Sequence, residues 1–215
     1  MIECPSCGRR QEPQLICADC GSPLSASLDC FAALGLPRKL SLDLAAIERT
    51  YHDLSRKIHP DRFAASGVAT RDLSLRATAT LTRSYRTLRD PVARGLYWLE
   101  LNGEKLAENN KHVPVELADL VFEVQEELAE LNHSRATDEF SCALVSRIGQ
   151  RRIDLQASMD TALEALGRNF AASDAGTAAD QKMLTKELKS ILSRIAYLRT
   201  LIRDVDRALE NSTAA

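Results

Sequence analysis

The chain has 215 residues, enough for one large domain or two to three small ones. At 45% hydrophobic and 27% charged it has the make-up of an ordinary globular protein, and aromatics at 5% disfavour a β-sandwich or a base-stacking nucleic-acid module. The formal net charge of −2 hides a segregation: ten Lys/Arg against five Asp/Glu from Glu48 to Arg94, then three against eleven from Glu100 to Glu139. Such runs are commonly solvated faces, and they also suit two binding surfaces for two differently charged partners. No apolar stretch approaches the ~20 residues needed to cross a bilayer. Cys4 arrives too early for the apolar core of a leader. The expectation is a cytoplasmic protein with no membrane partner.

The first predicted element is built from cysteines. Cys4 and Cys7, then Cys17 and Cys20, form two C-x2-C pairs separated by nine residues. Each pair sets two thiolates on one tight turn, close enough to share a tetrahedral ion. Gly8 and Gly21 each follow a pair, where the absence of Cβ lets backbone N–H groups turn toward the sulfurs. Segment 1–25 has too few apolar residues (Ile2, Leu15, Ile16 and Leu24) for a core of its own, so metal must supply its folding energy, on the order of 10–16 kcal/mol for structural zinc. In a cytosolic chain such pairs read as ligands before disulfides. The reading is a closed structural Zn²⁺ site; a rubredoxin-like iron centre, a redox dithiol pair and a nucleic-acid zinc ribbon are its competitors. Nucleic acid is disfavoured, because the only bases nearby are Arg9 and Arg10 and no aromatic accompanies them. Cys30 and Cys142 lie outside the pattern and read as small buried apolar residues.

Helices follow. Ser27 or Asp29 can cap a short helix ending at Gly35. Asp43 opens a longer one with Leu44, Ile47, Tyr51, Leu54 and Ile58 at 3-4-3-4 spacing and a basic outer face. Pro60 stops it and pushes His59 out of the α region. Helical spacing resumes near Val68, with Ala77, Leu81, Tyr85 and Leu88 on one face. It ends at Asp90-Pro91, and Pro91 starts a helix closed by Asn102-Gly103. Two helices joined by a loop that begins His59-Pro60-Asp61 resemble a J-domain. Taken locally, His59 would be a cation on the helix C-terminus and Asp61 a cap.

Three more amphipathic segments are expected at about 115–133, 138–167 and 180–210, after a break at Asn109–Pro114. Leu117, Val121, Val124, Leu128 and Leu131 make the first seam. Leu144, Ile148, Leu155, Met159 and Leu166 make the second. The third runs through Leu184, Leu188, Ile191, Ile195, Leu198, Ile202, Val205 and Leu209. They predict an antiparallel three-helix bundle, with Gly167–Asp180 as a mobile turn. Phe122 and Tyr197 each fall roughly 140° from their seams at ~100° per residue, and Phe122 lies among Asp119, Glu123, Glu126 and Glu130. A large aromatic on an acidic face asks for a cover, either another layer of the protein or a partner.

Segment 29–63, DCFAALGLPRKLSLDLAAIERTYHDLSRKIHPDRF, and the following TLRDPVARGLYWLELNG resemble the HscB-type (Jac-type) J-proteins of iron–sulfur cluster assembly. The likeness runs from about Leu28 to the C-terminus, and some members carry a four-cysteine module in front. It implies a co-chaperone whose J-domain stimulates ATP hydrolysis by a DnaK-type (HscA-like) heat-shock chaperone through His59, Pro60, Asp61, Arg49, Arg56, Lys57 and Arg62. It also implies delivery of an IscU-type iron–sulfur scaffold, held by Phe122, Glu123, Glu126, Glu130 and Tyr197. Ala118 and Asp119 stand where the family often has larger apolar residues, which implies a smaller or more polar patch.

The expected fold class is therefore all-α. A zinc-ribbon or knuckle module (1–27) precedes a helical-hairpin J-domain (28–103), a linker (104–113) and a three-helix bundle (114–215). No nucleophile elbow, phosphate-cradling glycine loop or open metal site occurs, so no catalytic activity is expected. A general protein-folding J-domain co-chaperone is the alternative, and it would need a large exposed apolar groove. A nucleic-acid regulator conflicts with the acidic C-terminal half, and a thiol oxidoreductase would need cysteines not locked by metal.

Overall fold

A computed structural model describes residues 1–24, 26–106, 115–133, 139–177 and 179–213. The expected break at 109–114 lies outside these residues. Among them are seven α-helices and one two-stranded sheet of four residues, so the class is all-α with a cysteine knuckle in front. No helix is long and apolar enough to cross a membrane. The chain divides into two compact units, residues 1–98 and 99–215.

The first unit opens with β1 (Ile2–Glu3) paired antiparallel to β2 (Arg10–Gln11), followed by a bridge between Ile16 and Pro23. Helix α1 (Cys30–Ala33) is capped by the Asp29 carboxylate, which accepts from the Ala32 N–H. Helix α2 (Leu44–Ile58) is capped by Asp43, which accepts from Ala45 and Ala46. Helix α3 (Gly67–Arg89) and α4 (Pro91–Leu101) meet at Asp90, whose side chain accepts from the Val92 N–H. The core between them holds Phe31, Leu34, Leu40, Ile47, Ile58, Leu81 and Leu88, all almost fully buried. Phe31 packs against the rings of Tyr97 and Trp98 on α4. Burying each such side chain contributes on the order of 1.5–3 kcal/mol. Tyr51 and Leu54 of the expected α2 stripe are half-buried, and Leu44 in the first turn is exposed.

The second unit is a bundle of α5 (Ala118–His133), α6 (Glu139–Ala175) and α7 (Gln181–Thr213). Leu117, Val121 and Val124, and Leu144, Ile148, Leu155, Met159 and Leu166 of α6, are all buried. On α7 the seam runs through Leu184, Leu188, Ile195, Leu198 and Val205 as expected. Leu192 and Leu201 are buried too, whereas Ile191, Ile202 and Leu209 lie at the margins.

Two expectations are corrected here. Gly167–Asp180 is not one long turn, because α6 continues to Ala175 and α7 begins at Gln181. Phe170 extends the core stripe, and the buried Asn169 amide donates to the Leu184 carbonyl (3.1 Å) and to Glu187. Gln181 reaches back to the Ser173 carbonyl, so polar residues that read as a turn instead staple two helices. Cys142 is exposed on α6 rather than buried, whereas Cys30 is buried as expected.

Candidate functional site

In the cysteine module the two knuckles repeat one local design. The N–H of Gly8 donates to the Cys4 carbonyl at 2.8 Å, and the N–H of Gly21 to the Cys17 carbonyl at 3.0 Å. Both glycines take left-handed φ values, 73° and 70°, which a side chain would strain. The chain then turns back, so that Cys4 N–H meets the Arg9 carbonyl and Cys17 N–H the Ser22 carbonyl, each at 2.8 Å. These turns bring the sulfurs of Cys4, Cys7, Cys17 and Cys20 within 4.8 Å of one another. Cys4 and Cys20 sulfurs are 3.6 Å apart, and those of Cys7 and Cys17 are 3.7 Å apart. A tetrahedral ion with metal–sulfur bonds of ~2.3 Å requires sulfurs about 3.8 Å apart. The donor set fits a four-thiolate metal site with no open position.

Without a metal, such crowding splits the thiols. The Cys20 N–H aimed at the Cys17 sulfur helps to draw that thiol down to about 6. Cys7 receives the Arg9 N–H, which lowers it, but desolvation and hydrogen bonds with the neighbouring thiols push it up to about 12. The N–H groups that reach Cys7 and Cys20 belong to Arg9 and Ser22, each one residue beyond its glycine. Backbone donors therefore point at the sulfurs, as the glycine positions suggested.

The His59-Pro60-Asp61 tripeptide lies at the end of α2. His59 takes φ −57° and ψ 132°, the extended conformation that Pro60 imposes, and a 3₁₀ turn follows over Pro60–Phe63. The His59 side chain is about half exposed and that of Asp61 is 90% exposed. His59 Nδ1 accepts from the Asp61 N–H at 3.3 Å and lies 3.5 Å from its carboxylate. Arg56, Lys57 and Arg62 flank the turn and are exposed, and Arg49, nearly three turns upstream on α2, is exposed too. Arg56 is engaged by Asp53, and Arg62 reaches the Arg56 carbonyl at 3.4 Å.

What fixes this turn was not legible in the sequence. The Ile58 carbonyl is orphaned where the helix breaks. It accepts from Ser74 Oγ at 2.5 Å and from Thr78 Oγ1 at 3.4 Å, both on α3. Ser74 is fully buried. A serine and a threonine one turn apart on the inner face of α3 were the available signal. Arg94, 6% exposed, performs the same service for α3 by donating to the Leu88 carbonyl at 3.0 Å.

On the bundle, Phe122 is 62% exposed, an off-seam aromatic as expected, while Tyr197 is half-buried. Helix α5 packs on both α6 and α7. The acidic face is less bare than the sequence suggests. Arg151 of α6 pairs with Glu123 (3.0 Å) and Glu127 (3.2 Å), and Arg147 pairs with Glu130 (2.7 Å). The hydrogen bond from Arg151 to Glu127 raises the arginine's pKa further. Glu126 is exposed and has no ion-pair partner among the described residues. Ala118 and Asp119 are exposed as well.

No protein-family model matches the chain. A co-chaperone protein HscB homolog of Cupriavidus taiwanensis is 35% identical over 162 residues, which cover 75% of this chain and 89% of that protein. The homolog of Chromobacterium violaceum is 31% identical, over 63% of this chain and 76% of its own. Among solved structures, human co-chaperone protein HscB matches with a TM-score of 0.70 at 22% identity, covering 96% of this chain and 98% of that one. Chaperone HscB from Vibrio cholerae matches at 0.59 with 18% identity, over 86% of this chain and 99% of that one. Those two likenesses concern the fold; the sequence match along most of the Cupriavidus protein goes further, and this chain belongs to the HscB co-chaperone family.

Proposed function

We propose that the chain stimulates the ATPase of a DnaK-type, HscA-like heat-shock chaperone and delivers to it an IscU-type iron–sulfur scaffold. The observation that carries this reading is the exposed His59-Pro60-Asp61 turn at the end of a basic helix. Arg49, Arg56, Lys57 and Arg62 would attract an acidic chaperone surface, and His59 and Asp61 would make the contact that favours hydrolysis. The scaffold would be held by Phe122, Glu123, Glu126, Glu130 and Tyr197. Carrying both surfaces on one chain raises the effective concentration of scaffold at the chaperone.

In this reading the working parts are a metal module (1–27), a J-domain (28–103), a linker (104–113) and a scaffold-binding bundle (114–215). The protein is cytoplasmic and has no catalytic activity of its own. Cys4, Cys7, Cys17 and Cys20 hold one Zn²⁺, which supplies a structural cross-link and no chemistry.

Two experiments test the function. In single-turnover assays His59→Gln and Asp61→Asn should abolish ATPase stimulation while circular dichroism stays unchanged, since both side chains are exposed and cost little stability. Equal stimulation by the His59 variant would refute the chaperone role. In calorimetric titration with the scaffold, Phe122→Ala should cost ~2 kcal/mol, because exposed aromatics that anchor interfaces carry much of the energy. Tyr197→Ala, already half-buried, should cost less. Unchanged affinity in both would place the client elsewhere.

A further inference from the structure

The bundle presents a second surface, away from α5. Between α6 and α7 lies an open groove of about 540 Å³, and no residue of α5 lines it. Its floor is apolar: Met159 and Leu163 from α6, and Ile202 from α7. Along its rim stand Arg199, Arg203 and Arg207 of α7, all exposed. Their i, i+4, i+8 spacing sets three guanidinium groups in a row over roughly 12 Å of helix.

The local acids compensate this row only in part. Arg203 shares Asp204 at 3.1 Å, and Asp206 is taken by Arg152 at 2.8 Å. Glu210 lines the far end. Arg199 and Arg207 have no ion-pair partner among the described residues. Ile202 sits at the core margin where the seam alone would have buried it, and it faces this groove. An apolar floor beneath regularly spaced cations, two of them without an ion-pair partner among the described residues, is complementary to one kind of ligand.

We infer that this groove docks an acidic amphipathic helix of a partner protein. Leucine-type side chains would fill the floor over Met159, Leu163 and Ile202. Carboxylates one turn apart would meet Arg199, Arg203 and Arg207, since the two helices share the same pitch. The site is separate from the Phe122 patch, so it provides a second attachment point that stands whether or not that patch binds a scaffold.

The test uses the full chain and a fluorescein-labelled helical peptide with leucines on one face and glutamates flanking them, read by anisotropy. The peptide should bind saturably and lose affinity as salt rises. The double variant Arg199→Glu/Arg207→Glu should weaken it roughly tenfold or more, and Arg199→Gln/Arg207→Gln by less. Ile202→Asn should also weaken it, with circular dichroism confirming the fold, whereas Phe122→Ala should leave it unchanged. Equal binding of a glutamine-for-glutamate peptide would overturn the inference, as would indifference to the arginine variants or sensitivity to Phe122→Ala. Concentration-dependent self-association abolished by Arg199→Glu/Arg207→Glu would overturn the choice of occupant, because a second copy would then fill the groove.

Discussion

The cysteine knuckles and the His59-Pro60-Asp61 turn are both tight reversals that present exposed side chains, yet they are held in opposite ways. The knuckles enclose a small buried cluster of Cys4, Cys17 and Leu24, with Ile2 packed against it. Their hydrogen bonds are local, between residues about four or five apart. Nothing in that segment could offset the entropy of ordering about two dozen residues without an ion. The turn after α2 needs no ligand. Its geometry is imposed by Pro60 and its orphaned carbonyl is taken by α3, which is anchored by Leu81 and Leu88 in a true core. One reversal is conditional on what the solution supplies; the other is inherited from the packing around it.

Chelation should separate the two most sharply. Stripping metal should remove on the order of 10 kcal/mol or more from the cysteine module. Amide signals from residues 1–24 should collapse while those of α2, α3 and the bundle persist, and metal analysis of the untreated protein should give about one Zn²⁺ per chain. A module that stays ordered after metal is gone would erase the contrast.

A smaller effect should come from the other side. Ser74→Ala leaves the Ile58 carbonyl with only the longer Thr78 contact and should cost about 1 kcal/mol in denaturant unfolding. Metal content should not change. ATPase stimulation should fall although Ser74 is fully buried and touches no partner. Undiminished stimulation would show that Pro60 alone holds the turn.

The smallest effect belongs to Asp29, the cap of α1. Burial raises its carboxyl, but the Ala32 N–H and the Arg38 guanidinium outweigh this and hold it below the usual carboxylate range. A depressed folded-state pKa contributes stability above the unfolded value of ~3.9 and loses it as pH falls through the folded value. Asp29→Ala should therefore lower stability by roughly 0.5 kcal/mol at neutral pH, the low end for a cap. The gap from wild type should close in strong acid. A gap that persists there would assign the loss to packing instead of the cap.

Much of the architecture could be read from local chemistry. Asp43, Asp90-Pro91 and Gly103 mark helix ends because capping and backbone strain are decided within a few residues. The four-thiol cluster is legible because two C-x2-C turns leave so few ways to place the sulfurs. What escaped depends on contacts distant in sequence. Asn169 and Ser173 read as loop until α7 supplies partners for them. Ser74 and Thr78 are unremarkable without the carbonyl above them. Ile191 and Ile202 fit the heptad rhythm, yet Leu192 and Leu201 are buried more deeply. Of the residues assigned to the two proposed surfaces, all but Pro60 and Tyr197 are exposed.

Arg147 and Arg151 have a consequence for kinetics. Their pairing with Glu123, Glu127 and Glu130 offsets two of the five acidic charges of α5 and so weakens the field that helix would project. Asp119 and Glu126 stay exposed and outside these pairs, and salt screens their pull beyond a Debye length of ~8 Å at physiological ionic strength. A protein docking over Phe122 would then arrive with weak steering, not far above the ~10⁵–10⁶ M⁻¹s⁻¹ of neutral partners. Its dwell time would be set by how completely the phenyl ring is desolvated, so variation on this face would be felt in departure and scarcely in arrival.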